Sequence, residues 1–117
     1  AEARAKMSSY NSQNLANTLW ALAKMDHNPG EDMINAMLAK TSAMISSFNA
    51  QELANVLWAL SKLGHDPSED IFNAMLVETR AKISSFNSRE LANTLWALAN
   101  FERNPGEHMV NDMLAEA

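Results

Sequence analysis

The sequence contains no cysteine among its 117 residues. Disulfides and thiolate metal sites are therefore excluded, and cysteine usage says nothing about the redox compartment. Glycine and proline are also scarce, with three of each, and no glycine-rich phosphate loop is present. Apolar runs are only a few residues long, whereas a membrane-spanning helix needs about 20 apolar residues. These absences predict neither a membrane span nor a disulfide scaffold.

Groups suited to catalysis or metal binding are missing as well. No nucleophile is paired with a base at a useful spacing, and His27, His65 and His108 have no clustered ligands around them. We therefore predict no enzyme activity, no metal, no cofactor and no small-molecule substrate. The net charge of −5 argues against a strongly basic nucleic-acid patch. The first residues show no apolar or Arg/Ser-rich targeting pattern.

One segment occurs three times: NLANTLWALAK at 14–24, ELANVLWALSK at 52–62 and ELANTLWALAN at 90–100. Trp20, Trp58 and Trp96 are spaced by this repeat, and equivalent Asn and Pro residues keep the same period of 38. Self-similarity at such a period is typical of a solenoid. The sequence predicts a single all-α domain, an α-solenoid over 1–117 with units at 5–42, 43–80 and 81–117.

Each unit contains the start signals of two helices. An Asn with a Glu, or once an Asn, three residues later predicts a capping box, so the first helices should span 12–25, 50–63 and 88–101. Gly64 is a suitable stop. The second helices should be capped by the Asn or Asp before each Pro, with Pro in the first helical position. They should span 29–46 and 67–84 and run from 105 onward, joined to the next unit by Ser-Ser linkers.

The ends of the chain continue the repeat. Residues 1–8 parallel the back half of a second helix, which predicts a partial helix there, and residues 111–117 parallel 73–79. Solenoids generally need polar terminal repeats, and neither end has one. We therefore expect the sequence to be a piece of a longer array.

The recurring pattern F-N-x-x-E-L-A-N-x-L-W-A-L-x-K, followed by a D/N-P turn, resembles the octotricopeptide repeat family over essentially the whole chain. The resemblance implies an α-solenoid of helical hairpins. It also implies single-stranded RNA binding in chloroplasts or mitochondria, in RNA stability, processing, splicing or translation. Some members of the family belong to organellar ribosomes, so ribosomal RNA is a possible ligand too.

A helical wheel of each first helix places a leucine face opposite a polar stripe in which alanines recur. Helical-hairpin RNA readers address about one base per repeat with two or three side chains. The candidate RNA-binding residues are therefore those of the stripe and its border: Gln13, Asn14, Asn17, Lys24, Gln51, Glu52, Asn55, Lys62, Arg89, Glu90, Asn93 and Asn100.

Two features of the stripe leave alternatives open. The repeated Asn17, Asn55 and Asn93 are either a hydrogen-bonded ladder between helices or ligand contacts. The repeated Trp residues border the stripe, and we expect them to be core between repeats rather than stacking platforms for bases. The alternative function is a protein-binding scaffold or a structural subunit of a large organellar assembly such as a ribosome.

Overall fold

The computed structural model describes residues 9–101 and contains five α-helices in that range, with no strand. These are α1 (Ser12–Lys24), α2 (Glu31–Ala43), α3 (Ala50–Leu63), α4 (Glu69–Ala81) and α5 (Ser88–Asn100). The all-helical prediction is confirmed for this part of the chain. The partial helix predicted at 1–8 and the helix predicted from 105 lie outside the described residues.

The first helix of each unit begins where its capping box predicts. The side chain of Asn49 accepts a hydrogen bond from the backbone N–H of Glu52, and the Glu52 carboxylate accepts one from the N–H of Asn49. The same reciprocal pair forms around Asn87 and, with an Asn in place of Glu, around Asn11. Phe48, which precedes the middle cap, is fully buried. Local sequence therefore determines both the start and the entry angle of these helices.

The second helices begin two residues later than predicted. Asn28 does not cap α2; its side chain accepts a hydrogen bond from the Gly30 N–H at 2.9 Å, and Gly30 has a φ of 103° that a helix cannot contain. In the middle unit the cap is Ser68, whose hydroxyl accepts from the N–H of Ile71. Pro29 and Pro67 therefore belong to the turns before their helices, and the prediction of Pro in the first helical position was wrong for both. The same prediction for Pro105 lies outside the described residues.

The Ser-Ser linkers are also structured, which shortens the second helices at their far ends. In the first unit the N–H of Met44 is shared between the carbonyls of Lys40 and Thr41, both at 3.2 Å. Shared bonds of this kind are common where a helix tightens at its end. A 3₁₀ turn follows at Ile45–Ser47, and its counterpart lies at Ile83–Ser85. The segments predicted as the ends of long helices are thus compact turns.

The turn after α3 has the left-handed geometry that glycine accommodates best. Gly64 has a φ of 73°, and the N–H of His65 returns to the carbonyl of Leu60 at 3.0 Å. In the first unit Asp26 occupies the equivalent position with a φ of 52°, and His27 makes the same return bond to Leu22. The predicted glycine stop is confirmed, and Asp26 shows that the geometry persists without glycine.

Packing arranges the helices in two layers. Helix α3 lies between α1 and α5, while α2 packs against α4. Leu53, Leu57 and Leu60 of α3 are almost completely buried. They join one core with the leucines of the neighbouring first helices and with Ile34, Met37, Leu38, Phe72 and Met75 of the second helices. The leucine face predicted by the wheel is therefore the inner face of the domain.

Polar contacts of Lys82 and Ser12 tie one unit to the next. The ammonium group of Lys82 donates to the backbone carbonyls of Ser46 and Phe48, and it lies 4.0 Å from the carboxylate of Glu78. The hydroxyl of Ser12 reaches the carbonyl of Ser47 at 3.5 Å. The 3₁₀ turn at Ile45–Ser47 is thereby held from both neighbouring units.

Loss of the middle capping box should lower the stability of the domain. We expect Glu52→Ala to reduce the free energy of unfolding by about 0.5–1 kcal/mol, because the Asn49 N–H loses its partner at a helix end. The measurement is urea unfolding followed by circular dichroism. The matched control is Gln51→Ala, one residue away and exposed, which should change stability by less than about 0.5 kcal/mol. Equal effects of the two substitutions would contradict the capping role.

Candidate functional site

A polar hollow lies across the three first helices. Its cavity measures about 170 Å³. Five of its seven lining residues belong to the predicted stripe: Gln51, Asn55, Arg89, Glu90 and Asn93; the other two are Trp20 and Asn87. The structure thus brings side chains of all three units together at one place. The remaining candidates, Gln13, Asn14, Asn17, Lys24, Glu52, Lys62 and Asn100, lie outside this lining.

The repeated asparagines do not form a ladder. Within residues 9–101 the side-chain amides of Asn17, Asn55 and Asn93 make no hydrogen bond to protein. Asn17 is exposed, whereas Asn55 and Asn93 are half-buried beside the neighbouring helices. A side-chain amide offers two donors and an acceptor with two lone pairs. The row therefore presents free hydrogen-bonding groups to solvent or to a ligand.

The tryptophans are not the uniform core that the sequence predicts. Trp20 is 39% exposed and Trp96 is 46% exposed. Only the middle residue, Trp58, packs against the core, and its ring centroid lies 6.5 Å from that of Trp96 with the planes tilted by 34°. Trp20 lines the polar hollow. The core prediction is therefore wrong for Trp20 and Trp96 and holds in part for Trp58.

Small residues are buried next to two of the three tryptophans. Ala59 and Ala97, which the wheel places within the polar stripe, are completely buried. They follow Asn55 and Asn93 by one helical turn and lie where the first helices pack closely, because a small side chain allows two backbones to approach. Packing between the first helices therefore extends into the polar stripe on α3 and α5.

Three candidate residues carry positive charge on this side of the molecule. The ammonium group of Lys24 lies 5.5 Å from the centre of the Trp20 ring, a cation–π distance. Lys62 lies 3.9 Å from Asp26, and both side chains are exposed, so this pair contributes little to stability. Arg89 is exposed and lines the hollow. All three cations remain accessible to an anionic ligand.

Other candidates serve the helices themselves. Asn14, Glu52 and Glu90 each close a capping box through one side-chain oxygen. Asn100 donates to the carbonyl of Trp96 at 2.8 Å. Of these four residues only Glu90 also lines the hollow, and Glu90 as a whole residue is half-buried. The sequence analysis assigned Asn87 to capping alone and did not include it among the candidate site residues. Its N-cap position, three residues before the candidate Glu90, was the signal that could have placed it at the hollow.

Other site classes receive no support in the described range. Among residues 9–101 no group of three or more His, Asp or Glu side chains is arranged to hold a metal ion. No helix within that range is long and apolar enough to cross a membrane. His65 lines two shallow polar hollows beside Gly64 and Asp66, between the turns of adjacent units.

The lack of hydrogen bonds from the asparagine row to protein has a direct consequence for stability. We expect Asn55→Ala to leave the free energy of unfolding unchanged or to raise it slightly, because no hydrogen bond is lost and alanine favours the helix by a few tenths of a kcal/mol. A bonded ladder would instead cost roughly 1 kcal/mol or more per buried partner left unsatisfied. Chemical denaturation distinguishes the two results, and a clear destabilisation would restore the ladder interpretation.

The tryptophans should differ in their contributions to stability. Trp58→Ala should cost about 2 kcal/mol, less than the 3–5 kcal/mol of a fully buried aromatic, because Trp58 is half-buried. Trp20→Ala should cost less than about 1 kcal/mol, because its ring is more exposed. Thermal unfolding of both variants provides the comparison. A larger loss for Trp20 than for Trp58 would contradict the assignment.

Comparison with known proteins adds a family to this geometry. No curated protein matches the chain. A family model described as the N-terminal domain of the Tbc2 translation factor matches residues 1–116. The match includes every helix and every residue of the polar hollow. The chain therefore belongs to the Tbc2 translation factor N-terminal domain family.

Proposed function

We propose that the chain is a single-stranded RNA-binding α-solenoid of the octotricopeptide repeat type. Its role would be in post-transcriptional gene expression in a chloroplast or mitochondrion. The observation that carries the proposal is the surface shared by the three first helices. There, the exposed Trp20 of the first unit lies with the unbonded amides of Asn55 and Asn93 and the cation of Arg89 around one hollow. Membership of a translation-factor family supports a role in translation in particular.

The solenoid part of the proposal rests on the repeat and on the order of packing. Equivalent helices contact each other in sequence, α1 with α3 and α3 with α5, and α2 contacts α4 in the same way. The contacts between first helices bury the equivalent Leu15, Leu53 and Leu91, and the contact between second helices buries the equivalent pairs Ile34 and Phe72, and Met37 and Met75. Such nearest-neighbour packing of a repeated unit is the defining property of a solenoid. Further units of the same kind would extend the polar surface by the same step.

Cationic and amide side chains of the surface would have different roles in RNA binding. Lysine and arginine neutralise phosphates and set affinity, while amides contact base edges and set sequence preference. Lys24 and Lys62 would hold the RNA backbone, and Gln51, Asn55 and Asn93 would contact bases.

The acidity of the chain does not oppose this arrangement as strongly as the net charge of −5 indicates. In the described range, Glu31, Asp32, Glu69 and Asp70 lie in the first turns of α2 and α4, the second-layer helices. There they complement the helix dipole and lie on other helices than the polar stripe.

The net charge nevertheless favours a second candidate, a protein-binding scaffold. A row of amides and indoles can contact an extended peptide as well as an RNA strand. The two candidates differ in the response to salt, because only a polyanion releases counterions when a cationic side chain binds it.

The test is binding of the protein to a randomised RNA pool at several salt concentrations. Lys62→Ala should weaken binding to all sequences and reduce the salt slope by about 0.7 for one lost phosphate contact on a single strand. Asn55→Ala should leave the slope unchanged and alter the selected sequence.

Arg80→Ala is the matched control, because it removes an exposed cation from α4, which lies in the other layer. It should change the slope much less than Lys62→Ala. If all three variants select the same sequence with the same slope as wild type, the polar stripe is not the RNA-binding surface. If wild type binds no RNA, the RNA proposal fails. The scaffold is then the better description.

A further inference from the structure

We propose that the polar hollow binds one unstacked guanine base, stacked on Trp20 and bonded at its edge by side chains of the two following units. This inference rests on the proposed RNA-binding function and adds to it the position and identity of a bound base. It also implies that three repeats, rather than one, contact a single base.

The hollow is assembled from three consecutive units. Trp20 comes from α1, Gln51 and Asn55 come from α3, and the remaining lining residues come from α5 and its cap. Its volume of about 170 Å³ is well below the range of about 300–1,000 Å³ typical of pockets for drug-sized ligands. A hollow of this size suits one flat heterocycle rather than a larger molecule.

Trp20 supplies the stacking surface. Its side chain is 39% exposed at the rim, and in the free protein the ammonium group of Lys24 covers the ring. Stacking of a base on an exposed aromatic ring is stronger than an exposed cation–π contact. A base therefore displaces Lys24 from the ring, and the released ammonium group lies one helical turn away, within reach of the adjoining phosphate.

The polar lining favours a base edge over a phosphate. Glu90 is a half-buried residue of the lining, and a phosphate beside its carboxylate would meet a like charge. One carboxylate oxygen accepts from the Asn87 N–H at 2.9 Å, and the other has no hydrogen-bond partner within the described residues. That oxygen is available to accept from an N–H donor, which bases supply and phosphates lack.

Guanine matches the lining best. It presents acceptors at O6 and N7 and N–H donors at N1 and N2. The guanidinium group of Arg89 offers donors in the fork geometry that binds O6 and N7, and the Glu90 carboxylate offers acceptors. The amides of Asn55 and Asn93 have no hydrogen-bond partner in the described structure. They contact the rest of the base edge, either as donors or as acceptors.

The arrangement implies that one base is contacted by three units rather than by one. A tryptophan needs the two following units to complete its hollow, and in this sequence Trp20 is the one tryptophan followed by two further repeats. Trp96 occupies the position on α5 that Trp20 occupies on α1. It is 46% exposed, but it does not line the hollow. It therefore serves as a matched control for the loss of an exposed indole.

The experiment is an NMR titration of isotope-labelled chain with short oligouridine RNAs that carry guanosine, adenosine, cytidine or uridine at one central position. The three indole N–H signals are assigned from Trp20→Leu, Trp58→Leu and Trp96→Leu. The guanosine RNA should bind at least about 5-fold more tightly than the others. It should also shift the Trp20 signal most.

Two substitutions test the parts of the site. Trp20→Leu should weaken binding of the guanosine RNA by about 5-fold to 100-fold, whereas Trp96→Leu should change it less than about 2-fold. Arg89→Lys keeps the positive charge but removes the paired donors of the guanidinium group. It should therefore abolish the guanosine preference, while binding of plain oligouridine persists. Circular dichroism verifies that each variant is folded.

The outcomes separate the two proposals. If wild type binds the RNAs but Trp20→Leu behaves as Trp96→Leu does, or if guanosine is not preferred, the guanine site is wrong while RNA binding stands. If wild type binds none of the RNAs and binds an extended peptide instead, RNA binding itself is wrong and the guanine site falls with it.

Discussion

Burial of the leucine face of α3 between α1 and α5 is the constraint on which the rest of the structure depends. Leu53, Leu57 and Leu60 are removed from water almost completely. At about 1.5–3 kcal/mol for each buried leucine, this face is among the largest favourable terms available to a domain of this size. Since a helix is rigid, orienting one face toward the core orients every other face as well. The polar stripe is consequently presented on the side that the leucines leave free.

The polar stripe of each first helix adjoins a closely packed seam. Ala59 and Ala97 are buried in that seam, while Asn55 and Asn93, one turn earlier, are only half-buried. Their amides stay partly in contact with water, so the absence of protein partners costs little. An amide held at the edge of a seam is also positioned more rigidly than one on an open surface. This combination of rigidity and unused bonding capacity is what a ligand-contacting residue requires.

Most of the negative charge within the described residues serves helix ends. Glu52 and Glu90 close capping boxes, and the acidic pairs of α2 and α4 lie in first turns. Lys24, Lys62 and Arg89 belong to the first helices, on the side where the amides lie. The distribution of charge, rather than its sum, therefore decides which partner the surface suits. Glu90 is the exception, because its carboxylate both caps α5 and lines the hollow.

The sequence by itself determined the repeat, the helical class and the starts of the first helices, because capping boxes and leucine periodicity act over a few residues. It also identified five of the seven residues around the hollow. It did not determine the starts of the second helices. The Pro pattern predicted these starts two residues too early, because Asn28 bonds within the turn and Ser68 caps the second helix of the middle unit.

The tertiary structure decided the exposure of the tryptophans and the assembly of the hollow from three units. A helical wheel gives the direction of a side chain from its own helix but not the distance to the next one. Packing against the neighbouring helices buries Ala59 and Ala97 completely, although the wheel places them in the polar stripe, and it leaves Trp20 and Trp96 exposed.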